Sequence, residues 1–342
     1  MGSVWIETHH MESFPTLKQD LHVDVLVIGG GMAGVLTAYY LEHAGVDYAL
    51  CEADTLCSGT TKNTTAKLTS QHGFVYDKLI KEFDRQTAAL YLRANEEALD
   101  AYRTLAQTVD CDFEQRDNYI YTLDDPKTLE REWRALLSLG AKAERVDTLP
   151  LPFPVLGAIR FADQAQFHPL KFLSGIAKGL NLFEHTRVRE LKRTQEGIVA
   201  VTNGGTVTAN RVIVATHFPF LNKHGAYFIK QYQHRSYVFA LQGTPLYDGM
   251  YLDDDEDGLS FRTCGDLLLV GGGSHRTGKK GGGYDALRAI VARTFEQATI
   301  RYAWAAQDCM TLDAVPYIGP YSAGTDGLYV ATGFNKWGMT GS

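Results

Sequence analysis

The fold is decided by residues 23–52, whose sequence is VDVLVIGGGMAGVLTAYYLEHAGVDYALCE. The apolar run at its start, 23–28, is too short for a helix and rich in β-branched residues, which predicts a buried parallel strand. An apolar helix is predicted over 35–43, and the second apolar run, 46–51, predicts a second strand. This order of strand, helix and strand is a βαβ unit.

Three glycines with the spacing G-x-G-x-x-G join the first strand to the helix. Gly29 permits a tight turn, Gly31 lets the backbone approach a pyrophosphate, and Gly34 lets the helix pack closely on the strand. The helix N-terminus offers N–H groups to phosphate oxygens. Glu52 ends the second strand, where a carboxylate accepts ribose hydroxyls and disfavours the 2′-phosphate of NADP. The unit predicts a dinucleotide site, and a glycine-rich turn in another α/β protein is the alternative.

The amino-acid composition limits the classes of protein to which the chain can belong. The 342 residues are 45% hydrophobic and 21% charged, which is typical of a globular chain with about two domains. A net charge of −7 and the lack of basic runs disfavour nucleic acid as a partner. The five scattered cysteines predict neither a disulfide framework nor a zinc site, and they fit a cytoplasmic location. Neither a signal peptide nor a membrane span is predicted.

Further segments are candidates for the site. Residues 57–67, CSGTTKNTTAK, form a polar run that is predicted to wrap a cofactor, with a surface loop as the alternative. The strand 211–216 ends in small residues and is expected to return to the dinucleotide. Antiparallel strands are predicted within 230–275. The acidic run 253–257 is interpreted as a solvated hairpin tip rather than a calcium site, because it lacks EF-hand spacing.

These motifs together resemble the flavoprotein oxidoreductases related to D-amino acid oxidase, glycine oxidase and sarcosine oxidase. The matching segments are VIGGGMAG…CEAD, SGTTKNTTAK, the inner Val188, VIVAT, and DAVPYIGP…LYVATGFNKWGMTGS. The details NTTAKLTSQHG and GFNKWGMTGS resemble a bacterial subgroup that usually continues into a C-terminal Rieske [2Fe–2S] domain. This sequence departs from the subgroup, since it has no C-x-H…C-x-x-H ligand set and stops at Ser342. We therefore expect a truncated form of a longer protein.

The resemblance implies an α/β fold with two domains. A Rossmann-like FAD-binding domain, comprising 1–76, 155–222 and 310–342, is expected to be discontinuous. The second domain is an α+β substrate domain built on a mostly antiparallel sheet, comprising 77–154 and 223–309.

The resemblance also implies FAD as the cofactor and assigns its contacts. The pyrophosphate is expected at Met32 and Ala33, the adenine at the backbone of Val188, and the isoalloxazine edge at 65–67. The pyrimidine end is expected to lie along 333–340. The residues predicted to contact FAD are Gly29, Gly31, Met32, Ala33, Gly34, Glu52, Ala53, Ser58, Thr60, Thr61, Thr65, Ala66, Lys67, Val188, Ala215, Thr216, Gly333, Lys336, Trp337, Gly338, Met339 and Thr340.

Three residues are candidates for catalysis: Lys67, His275 and Lys336. Lys336 and nearby N–H groups are expected to stabilise negative charge over flavin N1 and C2=O, and Lys67 to order a water or promote reaction with oxygen. For either lysine, a surface charge is the alternative. The candidate substrate contacts are Arg235, Tyr237, Arg262 and His275.

Three functions remain open at this point. The first is FAD-dependent oxidation of a C–N bond in a small amine or amino acid, by hydride transfer to flavin N5. The second is an electron-transfer module that delivers electrons to an iron–sulfur partner, and the third is a non-catalytic FAD-binding protein. The closing motif disfavours a conventional NAD dehydrogenase. The sequence leaves the substrate, the electron acceptor and the oligomeric state open.

Overall fold

Two β-sheets organise the chain in a computed structural model that describes residues 2–221 and 224–342. The predicted domain boundary between 222 and 223 lies outside the described residues. The helices are α1 Val4–Thr8, α2 Met32–His43, α3 Tyr76–Glu82, α4 Arg85–Ala106, α5 Pro126–Leu139, α6 Pro169–Ile176, α7 Tyr227–Lys230 and α8 Gly283–Thr294, with a 3-10 helix at Thr60–Asn63. The strands are β1 Leu21–Ile28, β2 Tyr48–Cys51, β3 Lys67–Leu68, β4 Glu114–Thr122, β5 Ala143–Val146, β6 Gly157–Gln166, β7 Leu182–Phe183, β8 Glu190–Thr194, β9 Gly197–Val201, β10 Thr206–Val214, β11 Gln231–Gln242, β12 Met250–Asp253, β13 Ser260–Cys264, β14 Leu267–Arg276, β15 Thr299–Thr311, β16 Tyr317–Pro320 and β17 Leu328–Thr332.

The first sheet contains the predicted βαβ unit. Its order is β16-β17-β10-β1-β2-β7, with β9 and β8 added beside β10. Strand β1 is parallel to β2 and β10, and the register places Ile28 opposite both Cys51 and Val214. The residues that follow these three strands therefore meet at one edge of the sheet, where ligands bind in such folds. The helix begins at Met32 rather than at the predicted position 35, because extended Gly31 already occupies its N-cap.

The second sheet is mostly antiparallel, as predicted. Its order is β15-β11-β14-β13-β12-β4-β6-β3, with β5 beside β6, and only the β12–β4 pairing is parallel among those described. Strand β6 lies in this sheet beside β4, whereas the sequence interpretation assigned 155–222 to the FAD-binding domain. The mixed α/β fold is confirmed, and the domain boundaries stay a prediction.

Helix α3 is capped by a side chain from another helix. Glu132 of α5 accepts hydrogen bonds from the N–H groups of Tyr76 and Asp77, at 2.9 and 2.8 Å. The Glu132 side chain is buried, with 1% of its surface exposed. Helix N-termini leave unpaired N–H groups, so this carboxylate replaces the solvent that these groups would otherwise need.

We expect Glu132→Ala to lower the free energy of unfolding by about 3 kcal/mol, because two buried N–H groups lose their acceptor. Burial raises the pKa of Glu132 to about 7, against the effect of the two N–H donors. Protonated Glu132 therefore contributes to the free energy of unfolding. This contribution is complete below the ordinary pKa of 4.5 and is lost as the pH rises through 7. Urea unfolding should therefore show a larger difference between the two proteins below pH 4.5 than above pH 7.

The matched control is Glu130→Ala on the same helix, which removes an exposed carboxylate that pairs with Arg134 and Arg145. Exposed pairs contribute little, so a loss below about 1 kcal/mol is expected. Equal losses in the two variants would contradict the capping role of Glu132.

None of the helices in the described ranges combines the length and apolarity that crossing a bilayer requires.

Candidate functional site

A cavity of about 1050 Å³ is lined by residues of both sheets. It begins at the edge of the first sheet where β1, β2 and β10 end, and it reaches the face of the second sheet formed by β11, β14 and β15. The predicted cofactor residues that line it are Gly29, Gly31, Met32, Ala33, Glu52, Ala53, Ser58, Thr60, Thr61, Thr65, Lys67, Val188, Ala215, Thr216, Lys336, Trp337, Gly338 and Met339. Four others, Gly34, Ala66, Gly333 and Thr340, are not part of the lining.

The motif glycines are required for three different spatial reasons. Gly29 has a φ of +112°, and a Cβ there would lie 2.5 Å from the carbonyl oxygen of Ala215. A Cβ on Gly34 would lie 1.8 Å from the carbonyl oxygen of Gly29, so the helix packs directly on the backbone of the turn that follows β1. A Cβ on Gly31 would meet only Thr61 Oγ1, at 3.4 Å, and would otherwise point into the cavity. The space in front of Gly31 is what a pyrophosphate needs for close approach.

Hydrogen-bond donors surround this space. The N-terminus of α2 faces it, with its Met32 N–H bonded to Thr61 Oγ1 at 3.2 Å. The hydroxyl-bearing residues Ser58 and Thr60 line the same part of the cavity. Backbone N–H groups, hydroxyls and a helix N-terminus together form a donor set that suits phosphate oxygens.

The far end of the cavity fits an adenosine. Glu52 accepts hydrogen bonds from the N–H groups of Gly30 and Asp54, at 2.6 and 2.8 Å, which fixes its carboxylate at the wall. Each carboxylate oxygen has two lone pairs, so acceptor capacity remains for ribose hydroxyls. The N–H and C=O of Val188 have no hydrogen-bond partner within the described ranges, and Val188 lines the cavity. Its backbone is free to pair with a base.

The loop that precedes β3 is held from behind by two tryptophans and an arginine. The indole of Trp5 donates to the Thr64 carbonyl at 2.8 Å, and the indole of Trp304 donates to the Asn63 carbonyl at 3.0 Å. Arg262 Nη1 donates to the carbonyl oxygens of the next two residues, 65 and 66, at 2.8 Å each. The loop thus has a fixed path along the cavity before it enters the second sheet.

Arg262 is not among the residues that line the cavity, and its role as a substrate contact stays a prediction. Only 3% of its side-chain surface is exposed, and its guanidinium lies over the ring of Trp5 at 5.3 Å. Within the described ranges Arg262 has no carboxylate partner, and its Nη1 and Nε groups donate to backbone carbonyls. The loop lies between the guanidinium and the cavity, so Arg262 supports the wall.

Lys67 is the residue at which this loop enters the second sheet. It lines the cavity, and its Nζ donates to the carbonyl oxygen of Tyr251 at 2.8 Å. Burial lowers the pKa of Lys67 to about 7, and the positive charge of Arg262 acts in the same direction. An amine with such a pKa changes its charge in the pH range where enzymes operate.

Three further predicted substrate contacts, Arg235, Tyr237 and His275, also lie outside the cavity lining. Their chain neighbours Ser236 and Ser274 line it instead. Because successive side chains of a strand point to opposite faces, these three residues face away from the cavity. On that face the Tyr237 hydroxyl lies 3.1 Å from His275 Nε2. The three residues thus do not line this cavity, and their roles as substrate contacts, with the catalytic role of His275, stay predictions.

Lys336 lies on the wall that the second sheet provides, in a polar cluster that sequence reasoning missed. Its Nζ donates to Ser236 Oγ at 2.6 Å and lies 3.3 Å from His234 Nδ1 and 3.5 Å from Asp308 Oδ2. The His234 ring is 1% exposed, and its Nε2 lies 2.9 Å from Glu256 Oε1. Burial first and the Lys336 charge second lower the pKa of His234 to about 4. Neutral His234 therefore accepts from Lys336 and presents its N–H to Glu256.

The closing segment adds a backbone edge to the cavity. The Trp337 ring stacks on His72, with ring centroids 4.7 Å apart. The N–H groups of Gly338 and Met339, both of which line the cavity, have no acceptor in the described parts of the chain. Thr340 points away, and its Oγ1 accepts from the Thr69 N–H at 2.9 Å. His72 was not among the predicted site residues, because no motif in the loop that contains it indicated a binding site.

Comparison with known proteins gives consistent matches. The pattern of the FAD dependent oxidoreductase family, DAO, matches residues 24–342. YhfW of Bacillus subtilis (strain 168), which bears a Rieske 2Fe-2S iron-sulfur protein name, is 36% identical over 355 residues, covering 99% of this chain and 70% of that protein. Gamma-glutamylputrescine oxidoreductase of Escherichia coli (strain K12) is 27% identical over 218 residues, covering 59% of this chain and 50% of that protein. The crystal structure of glycine oxidase from Geobacillus kaustophilus has a TM-score of 0.77 at 21% identity, covering 94% of this chain and 91% of that one.

Proposed function

The chain belongs to the FAD dependent oxidoreductase family, and from this premise we propose that it oxidises a C–N bond of a small amine or amino acid by hydride transfer to flavin N5. The observation that carries the proposal is the continuity of the cavity. One end has the donors and acceptors that FAD needs, and the other end is a polar wall of the second sheet where a substrate has room.

Each part of FAD has a matching set of residues. The N–H groups at Met32 and Ala33 and the hydroxyls of the loop would hold the pyrophosphate, and Glu52 would hold the adenosine ribose. The backbone of Val188 would pair with the adenine. At the opposite end, the free N–H groups of Gly338 and Met339 would face the pyrimidine C2=O. When bound, FAD supplies the acceptor for the hydride that the substrate loses.

We propose different roles for the two lysines that line the cavity. Lys336 would supply a fixed positive charge on the wall formed by the second sheet, because its Nζ is already bound by Ser236, His234 and Asp308. Lys67 has one engaged donor and a pKa of about 7, so it holds a proton at Nζ that it can exchange with a nearby water. We assign it the activation of water or oxygen at the flavin edge.

The test is anaerobic reduction of the FAD-loaded chain by a panel of amines and amino acids, followed by visible absorbance. Bleaching by one chemical class is expected, and that class identifies the substrate. A flavin that dithionite bleaches but no member of the panel reduces would overturn the proposal and favour the non-catalytic alternative.

A second candidate function is electron delivery to an iron–sulfur partner, which the match to YhfW favours. The chain would then transfer electrons from reduced flavin faster to a [2Fe–2S] protein than to oxygen. Stopped-flow reoxidation with the two acceptors at equal concentration distinguishes these cases. A reducing compartment such as the cytoplasm is part of both proposals, because all five cysteines are free thiols.

We expect Lys67→Met to slow reoxidation of the reduced flavin by about 100-fold, the usual effect of losing a proton-donating group. The wild-type rate should fall as the pH rises through 7, because the ammonium form is lost there, and the variant should show no such dependence. The control is Lys78→Met, which removes another cavity-lining lysine. A Lys67→Met protein with the wild-type pH profile would exclude the role.

A further inference from the structure

Lys67 differs from the other two lysines of the described cavity lining in having no acid beside it. Lys336 Nζ lies 3.5 Å from a carboxylate oxygen of Asp308. Lys78 Nζ lies 3.8 Å from a carboxylate oxygen of Glu82. Among the ion pairs between described residues, none includes Lys67, and its one hydrogen bond is to a backbone carbonyl. The ammonium form of Lys67 is therefore not stabilised by a neighbouring anion.

A second cation lies close to Lys67. Arg262 Nη1 donates to the carbonyl oxygens of Thr65 and Ala66, the two residues that immediately precede Lys67, at 2.8 Å each. A guanidinium keeps its charge near neutral pH, so the lysine is the group that gives up its proton. Burial is the larger cause and the charge of Arg262 the second, and together they lower the pKa of Lys67 to about 7.

The neutral amine that results is a nucleophile. Near pH 7 about half of the Lys67 side chains carry a free lone pair, against roughly one in 3,000 for a lysine at the ordinary pKa of 10.5. Desolvation and a neighbouring cation are the two means by which proteins activate a lysine for attack on a carbonyl group. Lys67 has both.

The position of Lys67 gives small molecules access to this amine. Lys67 is the first residue of β3, and its side chain is only half-buried. Its Nζ reaches the carbonyl oxygen of Tyr251 on β12, at 2.8 Å, and the next two residues of that strand, Leu252 and Asp253, line the cavity. The amine thus lies where the cofactor loop meets the wall formed by the second sheet.

We propose that Lys67 is a covalent binding site for small carbonyl compounds, aldehydes or 2-oxo acids, which it holds as a Schiff base. The nitrogen lone pair forms a bond to the carbonyl carbon, and the electron pair of the C=O double bond moves to the oxygen. The two protons of the amine pass to that oxygen, the C–O bond breaks, and water leaves. Nothing is oxidised or reduced in this step, so it needs no oxidant and no turnover of FAD.

Carbonyl compounds are also what the proposed function would supply. Oxidation of a C–N bond gives an imine, which water converts into a carbonyl compound and an amine or ammonia. A captured product would then occupy the space that the next substrate needs. A carbonyl compound added from outside reaches the same amine without any oxidation, so formation of the Schiff base does not depend on the proposed function.

The test is reductive trapping on the FAD-loaded chain in the absence of any amine substrate. The protein is incubated with butanal or with pyruvate, together with sodium cyanoborohydride, and the modified lysines are located by peptide mass spectrometry. We expect Lys67 to be alkylated at least roughly 100-fold faster at pH 7 than an ordinary exposed lysine, because far more of it is neutral. The probe that reacts faster identifies the class of carbonyl compound.

Variants and pH give matched controls. Labelling should be lost in Lys67→Met, while Lys78→Met should be labelled at Lys67 as wild type is. The trapping rate should rise as the pH passes through 7, where the neutral amine forms. Arg262 is the charge that acts on Lys67, since β6 places uncharged Gln166 opposite it and β12 contributes only the carbonyl of Tyr251. Arg262→Lys keeps that charge and should keep the pH profile.

The wild-type peptide that contains Lys67 decides the result, so the outcome does not depend on the folding of a variant. Equal labelling of Lys67 and the exposed lysines would overturn the inference. Trapping at Lys67 in a chain whose flavin no amine bleaches would support the covalent site and overturn the proposed function. Bleaching by an amine without trapping at Lys67 would support the proposed function and overturn the covalent site.

Discussion

Gly34→Ala is expected to abolish FAD binding and to lower the free energy of unfolding by about 3 kcal/mol. The added Cβ would lie 1.8 Å from the carbonyl oxygen of Gly29, and that atom belongs to the turn that faces the pyrophosphate. Relief requires the helix to move away from β1, which costs packing along its buried side. The same movement carries the helix N-terminus away from the phosphates. Fluorescence titration with FAD and urea unfolding measure the two effects.

Gly59→Ala is the matched control for this substitution. Gly59 borders the same cavity, its φ is −87°, and a Cβ there meets no atom within 4 Å. Its effect on the free energy of unfolding is expected to stay within about 0.5 kcal/mol. If Gly34→Ala bound FAD like wild type, the close contact between helix and strand would not be what the site depends on.

Arg262→Met is expected to lower the free energy of unfolding by about 3 kcal/mol, because the carbonyls of residues 65 and 66 lose their buried donor. FAD affinity should fall as well, since these two residues belong to the segment 65–67 that is predicted to lie along the isoalloxazine edge. Burial is the main cause of the lowered pKa of Lys67, and the positive charge of Arg262 is the second. Removing the guanidinium removes this second cause, so the pKa of Lys67 should rise. Urea unfolding, FAD titration and the pH profile of flavin reoxidation measure the three effects.

Arg235→Met is the appropriate comparison, because Arg235 is also an arginine of the second sheet but is exposed, and its side chain donates only to Gln307 among the residues that the structure describes. It should leave stability, FAD affinity and the pH profile unchanged. Arg262→Lys keeps the positive charge but has fewer hydrogen-bond donors. It should therefore keep the pH profile of flavin reoxidation close to that of wild type while still lowering the free energy of unfolding. If Arg262→Met lost amine oxidation while FAD affinity and stability were preserved, the sequence-based assignment of Arg262 to the substrate would return.

The cofactor half of the site was predictable because its chemistry is local in sequence. The glycine spacing, the strand before it and Glu52 after it occur within one βαβ unit, and their contacts follow from the register of neighbouring parallel strands. The close approach at Gly34 and the open space at Gly31 are the geometry that the motif predicts.

The part of the cavity that the second sheet forms was less predictable, because it depends on which face of a strand is turned inward. Strand β11 reads QYQHRSYVFALQ, in which polar and aromatic residues occupy both faces, so no hydrophobic alternation marks the buried side. A bulge between Arg235 and Tyr237 also shifts the pairing with β14. The sequence interpretation therefore selected Tyr237 and, from the family resemblance, His275, while their neighbours Ser236 and Ser274 are the residues that line the cavity.

Burial of charge was the other feature that sequence could not reveal. Arg262 and His234 are polar in composition and buried in the fold, and their partners lie far away along the chain. The acidic run 253–257 does lie at the hairpin tip between β12 and β13, as predicted, but four of its residues also line the cavity, which the sequence alone did not indicate.

The two faces of β11 have a consequence for how this enzyme diversifies. Tyr232, Ser236 and Val238 border the cavity, while Tyr237 and Phe239 pack on Tyr284 of α8. Substitutions at Tyr232 and Ser236, which border the cavity and are only half-buried, should alter which amines are accepted with little loss of thermal tolerance. Substitutions at the fully buried Phe239 should do the reverse. A mutagenesis library restricted to the half-buried positions that face the cavity would therefore explore new selectivities from a scaffold that keeps folding.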